Sequence, residues 1–136
     1  ELGKAEWLCH ESGVVLFAVG SMVKTALEVR ELLKEQEIPC SIVNARFVKP
    51  IDQEVLAEAA KDHHLFVTME ENVASGGYGE KVRASIDRQE LPAKLLAVTI
   101  PDTYVEHGNV DLLKKELGLD AESIARKIMS VENREG

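Results

Sequence analysis

The stretch LFVTM at residues 65–69 runs directly into EENVASGGYG at residues 70–79. The first part is short, apolar and rich in β-branched and aromatic residues, which is typical of a buried strand. Two carboxylates end it, and a pair of glycines opens a helical pattern in which Val82 and Ile86 share a face. This order predicts one β-α unit of an open sheet. Such sheets bind ligands or dock other domains at the edge where their strands end.

The same alternation of strand and helix recurs along the chain. Continuous apolar runs predict strands, and apolar residues at helical spacing predict helices that begin at a capping residue or a glycine. Predicted strands cover residues 14–19, 41–45, 65–69 and 94–100. Predicted helices begin at Ser21, Asp52, Gly77, Asn109 and Asp120 and end near Ile38, Lys61, Arg88, Gly118 and Met129.

These units predict a three-layer α/β/α domain with a mainly parallel sheet, because right-handed crossovers place the helices over both faces. Residues 5–10 predict an extra strand that turns at Ser12-Gly13, so about five strands are expected, one of them an antiparallel edge strand. We expect residues 1–136 to form a single domain with its core at about 3–129, followed by a polar, frayed tail at 130–136.

The composition of the chain excludes some classes of partner and indicates a cellular compartment. The net charge is −8, from 16 basic and 24 acidic residues, which argues against general binding to nucleic acid or to anionic membranes. Cys9 and Cys40 are expected to be free thiols in a cytoplasmic protein. The first residues contain no apolar segment of a secretory signal and no initiator methionine, so we expect a fragment or a processed chain.

Parallel strands deliver the loops that follow them to one edge of the sheet, here called the carboxyl edge. The loops at the opposite edge, here called the amino edge, are plainer in composition. The carboxyl-edge loops hold most of the residues suited to chemistry or docking, namely Ser21, Arg46, Lys49, Glu70, Glu71, Gly76, Gly77, Asp102, Tyr104 and His107.

Each candidate residue or turn at the carboxyl edge has a functional and a structural interpretation. Glu70 and Glu71 could hold a divalent ion or act as an acid/base pair, but adjacent strand residues point to opposite faces. We favour one carboxylate that forms a salt bridge or accepts backbone amides from the Gly76-Gly77 turn. The turn at Gly76, Gly77 and Gly79 could cradle a phosphate at a helix N-terminus, yet it lacks the spacing of nucleotide-binding loops. Close packing of the helix start on the sheet is the favoured use of these glycines.

The sequence also leaves more than one role possible for the histidines and the basic residues. His107 could carry out proton chemistry, but a role in loop structure or an interface is favoured. His63-His64 are interpreted as solvated residues beyond a helix C-terminus, in preference to metal ligands. Arg46 and Lys49 could bind an anion or pair with a carboxylate of another domain. Composition and spacing alone therefore predict no catalytic set and no metal site.

Several segments together closely resemble one family, the C-terminal domain of 1-deoxy-D-xylulose-5-phosphate synthases in the transketolase superfamily. The resemblance covers residues 3–129. The segments NARFVKPID and PDTYVEHG distinguish it from transketolase proper and from 2-oxo-acid dehydrogenase β subunits. The matching segments are GKAE at 3–6, FAVGSMV at 17–23, NARFVKPID at 44–52, VTMEEN at 67–72, GGYG at 76–79, PDTYVEHG at 101–108 and LGLDAESIA at 117–125.

The resemblance implies a parent transferase that uses thiamine diphosphate and magnesium to join pyruvate and glyceraldehyde 3-phosphate. The products are 1-deoxyxylulose 5-phosphate, a precursor of isoprenoids, thiamine and pyridoxal, and CO2. In this family the cofactor-binding motifs belong to preceding domains. The resemblance therefore implies that the present chain has no catalytic residue and binds no cofactor. It also implies a cytoplasmic homodimer, or a plastid one in a plant.

A structural role as a docking domain is the resulting expectation. The partners would be the preceding domains of the same polypeptide, with a second subunit in the homodimer. The alternative is a free-standing binding or regulatory module that uses its carboxyl edge for an anion or a protein. The residues expected to form the docking surface mix charge with aromatic area; they are Arg46, Phe47, Glu70, Glu71, Tyr104 and His107.

Overall fold

The computed structural model describes residues 4–46, 51–71, 77–99 and 119–135. The helix predicted at 109–118 and the loop at 101–108 lie outside these residues. The strands are β1 (Glu6–Cys9), β2 (Gly13–Ala18), β3 (Cys40–Asn44), β4 (His63–Glu70) and β5 (Lys94–Thr99). The helices of the described ranges are α1 (Met22–Glu35), α2 (Gln53–Ala59), α3 (Tyr78–Gln89) and α4 (Ala121–Glu135).

The strands form one five-stranded sheet in the order β1-β3-β2-β4-β5. β1 pairs with β3 in antiparallel orientation, whereas β3, β2, β4 and β5 run parallel to one another. The prediction of a mainly parallel sheet with one antiparallel edge strand is confirmed. None of the helices in the described ranges is long and apolar enough to cross a bilayer.

The helices cover both faces of the sheet, because successive strand residues point to opposite sides. In β2, Val14 and Leu16 face the core formed with α1 and α4, where Ile124 is fully buried. Val15 and Phe17 face the second core, formed with α2 and α3. Phe17 meets Phe66 of β4 there, with ring centroids 5.1 Å apart in an edge-to-face arrangement.

Two of the predicted helix caps are present and one is not. Asp52 accepts a hydrogen bond from the Val55 amide at 3.1 Å, and Asp120 accepts one from the Ser123 amide at 3.1 Å. Ser21 makes no side-chain cap hydrogen bond. Its backbone explains this, because a φ of −65° and a ψ of −13° are helical rather than the extended values of a capping residue, and the Val23 amide already donates to the Gly20 carbonyl oxygen at 3.2 Å.

The last helix is longer than expected. Residues 130–135, expected to fray, continue α4. Val131 packs against the core between α1 and the sheet, and Glu132 lies 2.7 Å from the Nε2 atom of His64. These two contacts stabilise a segment whose polar composition indicated disorder.

Candidate functional site at the carboxyl edge

The carboxylate of Glu70 occupies the N-terminus of α3. It accepts hydrogen bonds from the amides of Tyr78 at 2.9 Å and Gly79 at 2.7 Å, and the residue is only 2% exposed. Amides in the first turn of a helix have no partner within the helix, so this carboxylate satisfies two of them. It is one of the two arrangements favoured from the sequence, the other being a salt bridge. An external phosphate would have to displace a buried carboxylate to bind here.

The glycines let α3 approach the sheet closely. Gly77 has a φ of 64°, in the left-handed region that favours glycine. A Cβ on Gly79 would stand 2.9 Å from Thr68 Oγ1 and 3.2 Å from the Ala97 Cβ. Gly76 lies outside the described residues. The turn at the start of α3 therefore brings the helix onto β4 and β5 and leaves no open cradle at Gly79.

Glu70 and Glu71 do not form a pair of convergent carboxylates. Glu70 points into the protein, and Glu71 follows it as a partly exposed residue at the end of β4. We expected the side chain of Glu70 to be exposed as part of a docking surface. That expectation is wrong, because the start of α3 has unpaired amides and Glu70 is the carboxylate within reach of them.

Arg46 is exposed and already has a partner in the same chain. Its Nη2 atom donates to Glu6 Oε1 at 2.9 Å, and its amide donates to the Asn44 side chain at 3.2 Å. A φ of 53° places its backbone in the left-handed region, where this turn leaves the sheet. Phe47, Tyr104 and His107, the other residues expected at this surface, lie outside the described residues.

A second cluster lies at the amino edge and was not expected from the sequence. His63 is 3% exposed, with Nδ1 2.9 Å from the Ala59 carbonyl oxygen and 2.7 Å from Asp62 Oδ1. Its Nε2 atom lies 2.8 Å from Ser41 Oγ. The prediction that His63 is solvated is wrong, because the residue begins β4 and turns inward. His64, by contrast, is exposed and pairs with Glu132.

His10 and Trp7 of the β1 region complete this cluster. His10 Nε2 lies 3.0 Å from Asp62 Oδ2, and the imidazole stacks on Trp7 with centroids 3.8 Å apart and planes within 1°. Partial burial alone would raise the pKa of Asp62, but the hydrogen bonds and charges of His10 and His63 outweigh it and lower that pKa. Asp62 is therefore an ionised carboxylate between two imidazoles near neutral pH.

Ser41, His63 and Asp62 follow one another in the order of a serine hydrolase triad, with Ser41 Oγ beside His63 Nε2 and Asp62 Oδ1 beside His63 Nδ1. Ser41 is fully buried, and its Oγ accepts a hydrogen bond from the Glu11 amide at 2.6 Å. A substrate carbonyl could not reach this hydroxyl, so the arrangement is not a nucleophilic site. Ser41 and His63 are 22 residues apart in sequence, which is why their contact was not foreseen.

Comparisons with known proteins agree with the fold. Residues 3–124 match the family described as "Transketolase, C-terminal domain". A solved structure described as "Split gene transketolase, inactive beta4 tetramer" superposes with a TM-score of 0.80 at 29% identity, covering 96% of this chain and 42% of that chain. The chain belongs to the transketolase C-terminal domain family.

Similarity to individual curated proteins identifies a narrower group within this family. The chain is 49% identical over 127 residues to the 1-deoxy-D-xylulose-5-phosphate synthase of Lachnoclostridium phytofermentans, covering 93% of this chain and 20% of that protein. It is 40% identical over 131 residues to the synthase of Dictyoglomus thermophilum, covering 96% of this chain and 21% of that protein. The resemblance found in the sequence is confirmed. The chain spans about one fifth of the length of these relatives.

Proposed function

We propose that this chain is the C-terminal domain of a thiamine-diphosphate-dependent 1-deoxy-D-xylulose-5-phosphate synthase. The observation that carries the proposal is the 49% identity to one such synthase across 93% of this chain. The parent activity joins pyruvate and glyceraldehyde 3-phosphate with loss of CO2. Since the chain spans only 20% of that relative, most of such a polypeptide lies outside it.

Thiamine diphosphate does not fit the start of α3 at the carboxyl edge. Its diphosphate needs backbone amides or cations, as at the N-terminus of a helix. The amides of Tyr78 and Gly79 at the start of α3 already bind the Glu70 carboxylate, which would repel a diphosphate. The proposed role of the chain in the synthase is therefore structural, and no step of the reaction is assigned to it.

The proposed role is docking of the carboxyl edge onto the preceding domains of the same polypeptide, within a homodimer. Support comes from Arg46 and Glu71, which the fold delivers to this edge with at least part of each residue exposed. Arg46 is held in a defined position by Glu6. A charged group fixed in this way can pair with a partner at a small further cost in side-chain entropy.

The test uses the full-length synthase with Arg46→Ala and a matched control, Glu6→Gln. The control removes the negative charge that pairs with Arg46 within the domain but leaves the guanidinium available to another domain. If Arg46 docks, Arg46→Ala should lower activity and increase hydrogen exchange at the domain boundary, whereas Glu6→Gln should change both much less. Equal effects of the two variants would show that Arg46 serves only its own domain.

A second measurement distinguishes docking from a free-standing module. The isolated chain, titrated calorimetrically with thiamine diphosphate and Mg²⁺, should show no saturable heat. Inorganic phosphate should behave in the same way, because Glu70 holds the helix start. If the chain binds phosphate saturably and Arg46→Ala abolishes this binding, the result would favour a free-standing module that binds anions. It would contradict the docking proposal.

A further inference from the structure

The amino edge brings together three potential metal ligands, here called the His-Asp-His cluster: His10, Asp62 and His63. One ligand atom from each residue lies within 4.8 Å of the other two. The cluster sits at the opposite end of the sheet from the carboxyl edge, so it is independent of the proposed docking surface. His10 and Asp62 are partly exposed, which leaves a path for an ion from solvent.

Different elements hold these ligands in place. Asp62 follows α2 in the turn before β4, and His63 is the first residue of β4. His10 directly follows β1, and its ring is fixed by stacking on Trp7 at 3.8 Å. The Ser41 hydroxyl, 2.8 Å from His63 Nε2, orients the second imidazole. In metal sites, the ring nitrogen of a ligand histidine that does not bind the metal is usually hydrogen-bonded to a neighbouring group, which fixes the orientation of the ring.

We propose that the His-Asp-His cluster binds a divalent transition metal ion of the Zn²⁺ type. Two imidazole nitrogens and one carboxylate oxygen suit Zn²⁺, Co²⁺ or Ni²⁺, whereas Mg²⁺ and Ca²⁺ prefer sites built from oxygen alone. Zn–N and Zn–O bonds of about 2.0–2.2 Å in tetrahedral geometry place ligand atoms about 3.4 Å apart. Asp62 Oδ1 lies 2.7 Å from His63 Nδ1 and Oδ2 lies 3.0 Å from His10 Nε2, so each imidazole already contacts one oxygen of the carboxylate, and a small rotation of that carboxylate would bring one oxygen to this spacing from both.

Binding requires each imidazole to present a lone pair to the ion. His63 Nδ1 now lies beside the Ala59 carbonyl oxygen, which can only accept, so this nitrogen carries the ring proton. On binding, His63 loses the proton from Nδ1 and carries it on Nε2 instead, and the Ser41 hydroxyl turns its own hydrogen away so that Oγ accepts from Nε2. The Ala59 oxygen keeps a hydrogen bond, because it also accepts from the Asp62 amide at 3.2 Å. A water molecule on the exposed side completes four-fold coordination.

The proposal is tested by titrating the chain with ZnCl2 near neutral pH by calorimetry, with the emission of Trp7, its only tryptophan, as a second readout. Co²⁺ should give the intense visible absorption of a four-coordinate ion. His10→Ala and Asp62→Asn should each weaken Zn²⁺ binding at least about tenfold, the lower bound for losing even a supporting group. His64→Ala is the matched control, since it removes an exposed histidine that pairs with Glu132 outside the cluster.

His63 is buried, so its replacement could unfold the chain; His10 and Asp62 are therefore the decisive positions. Thermal unfolding without metal should show that both variants fold. One-to-one binding that these two substitutions weaken and His64→Ala leaves unchanged supports the site. Three results would overturn it: no saturable binding, equal affinity in all variants, or loss of binding in His64→Ala.

Discussion

Glu70 and Gly79 join β4 to α3 where the start of the helix packs on the sheet. Glu70 Oε2 accepts a hydrogen bond from the Gly79 amide at 2.7 Å. The same oxygen lies 3.5 Å from the point where a Cβ of residue 79 would stand. That distance is an ordinary contact, but a Cβ at residue 79 would stand 2.9 Å from Thr68 Oγ1, so a larger residue would push the helix away from the sheet and from this carboxylate.

Removing the carboxylate should destabilise the chain. In Glu70→Ala the amides of Tyr78 and Gly79 lose their acceptor in a buried setting, at a cost of about 1–3 kcal/mol in the free energy of unfolding. Glu70→Gln should cost less, because its amide oxygen can still accept one bond. Urea unfolding measures both, with Glu71→Gln as the partly exposed neighbouring control. Equal stability of Glu70→Ala and the control would contradict this account.

Adding a methyl group at position 79 should also destabilise the chain. The new Cβ in Gly79→Ala would stand 2.9 Å from Thr68 Oγ1, well inside contact distance. Overpacking of this kind costs about 1–3 kcal/mol, which exceeds the gain in helix propensity of about 1 kcal/mol. Thr68→Ala removes the nearer obstacle, so the double variant should recover part of the loss. Urea unfolding of the single and double variants measures this recovery. If Gly79→Ala alone were more stable than the parent chain, the packing argument would be refuted.

The cap of α4 should make stability depend on pH in the acidic range. Hydrogen bonds from Ser123, first its side chain and then its amide, lower the pKa of Asp120 against the opposing effect of partial burial. A lowered folded pKa contributes stability that is complete above the unfolded pKa of about 3.9 and is lost as pH falls through the folded value.

Asp120→Asn keeps a capping oxygen but removes the charge. Its melting temperature should therefore fall less steeply than that of the parent between about pH 5 and pH 2. Asp120→Ala removes the cap and should cost about 1 kcal/mol near neutral pH. Glu122→Gln, an exposed carboxylate in the same turn, is the control and should retain the parent's acid dependence. Identical acid profiles for Asp120→Asn and the parent would exclude this role.

The two cysteines should differ in reactivity. Burial raises the pKa of Cys40 to about 12, with a further contribution from Cys9, and the residue is 1% exposed. Alkylation depends on the thiolate, so iodoacetamide at pH 8 should leave Cys40 unmodified in the folded chain. Cys9 is partly exposed and should react first. Mass spectrometry of Cys9→Ala should show little labelling until denaturant is added; rapid labelling without denaturant would contradict the burial of Cys40.

The sequence predicted the structure correctly wherever a local pattern of residues determines it. Residues 65–69 form the centre of β4, and Asp52 caps α2 as its position before the helix predicts. The antiparallel edge strand also followed from a local feature, the turn at Ser12-Gly13. Family resemblance, confirmed by the comparisons, then added an identity that the residues alone could not supply.

Local patterns failed where the deciding contact is distant in sequence. Nothing next to His63 shows that it faces Ser41, and the contact of His10 with Asp62 joins residues 52 positions apart. Glu132 appeared to belong to a frayed tail because its partner, His64, lies 68 positions earlier. Both errors concern the amino edge, where tertiary contacts override local composition.

The reversed direction of β1 determines where a covalently attached domain would be held. Glu6 lies opposite Asn44, so the strand begins at the carboxyl edge, and Lys4 reaches Glu54 there. Any polypeptide joined ahead of Lys4 is thereby tethered beside Arg46 rather than at the far end of the sheet. A short tether gives an attached partner a millimolar effective concentration at this edge. Weak individual contacts are then enough to keep two domains together, and a clean cut at the tether should separate them.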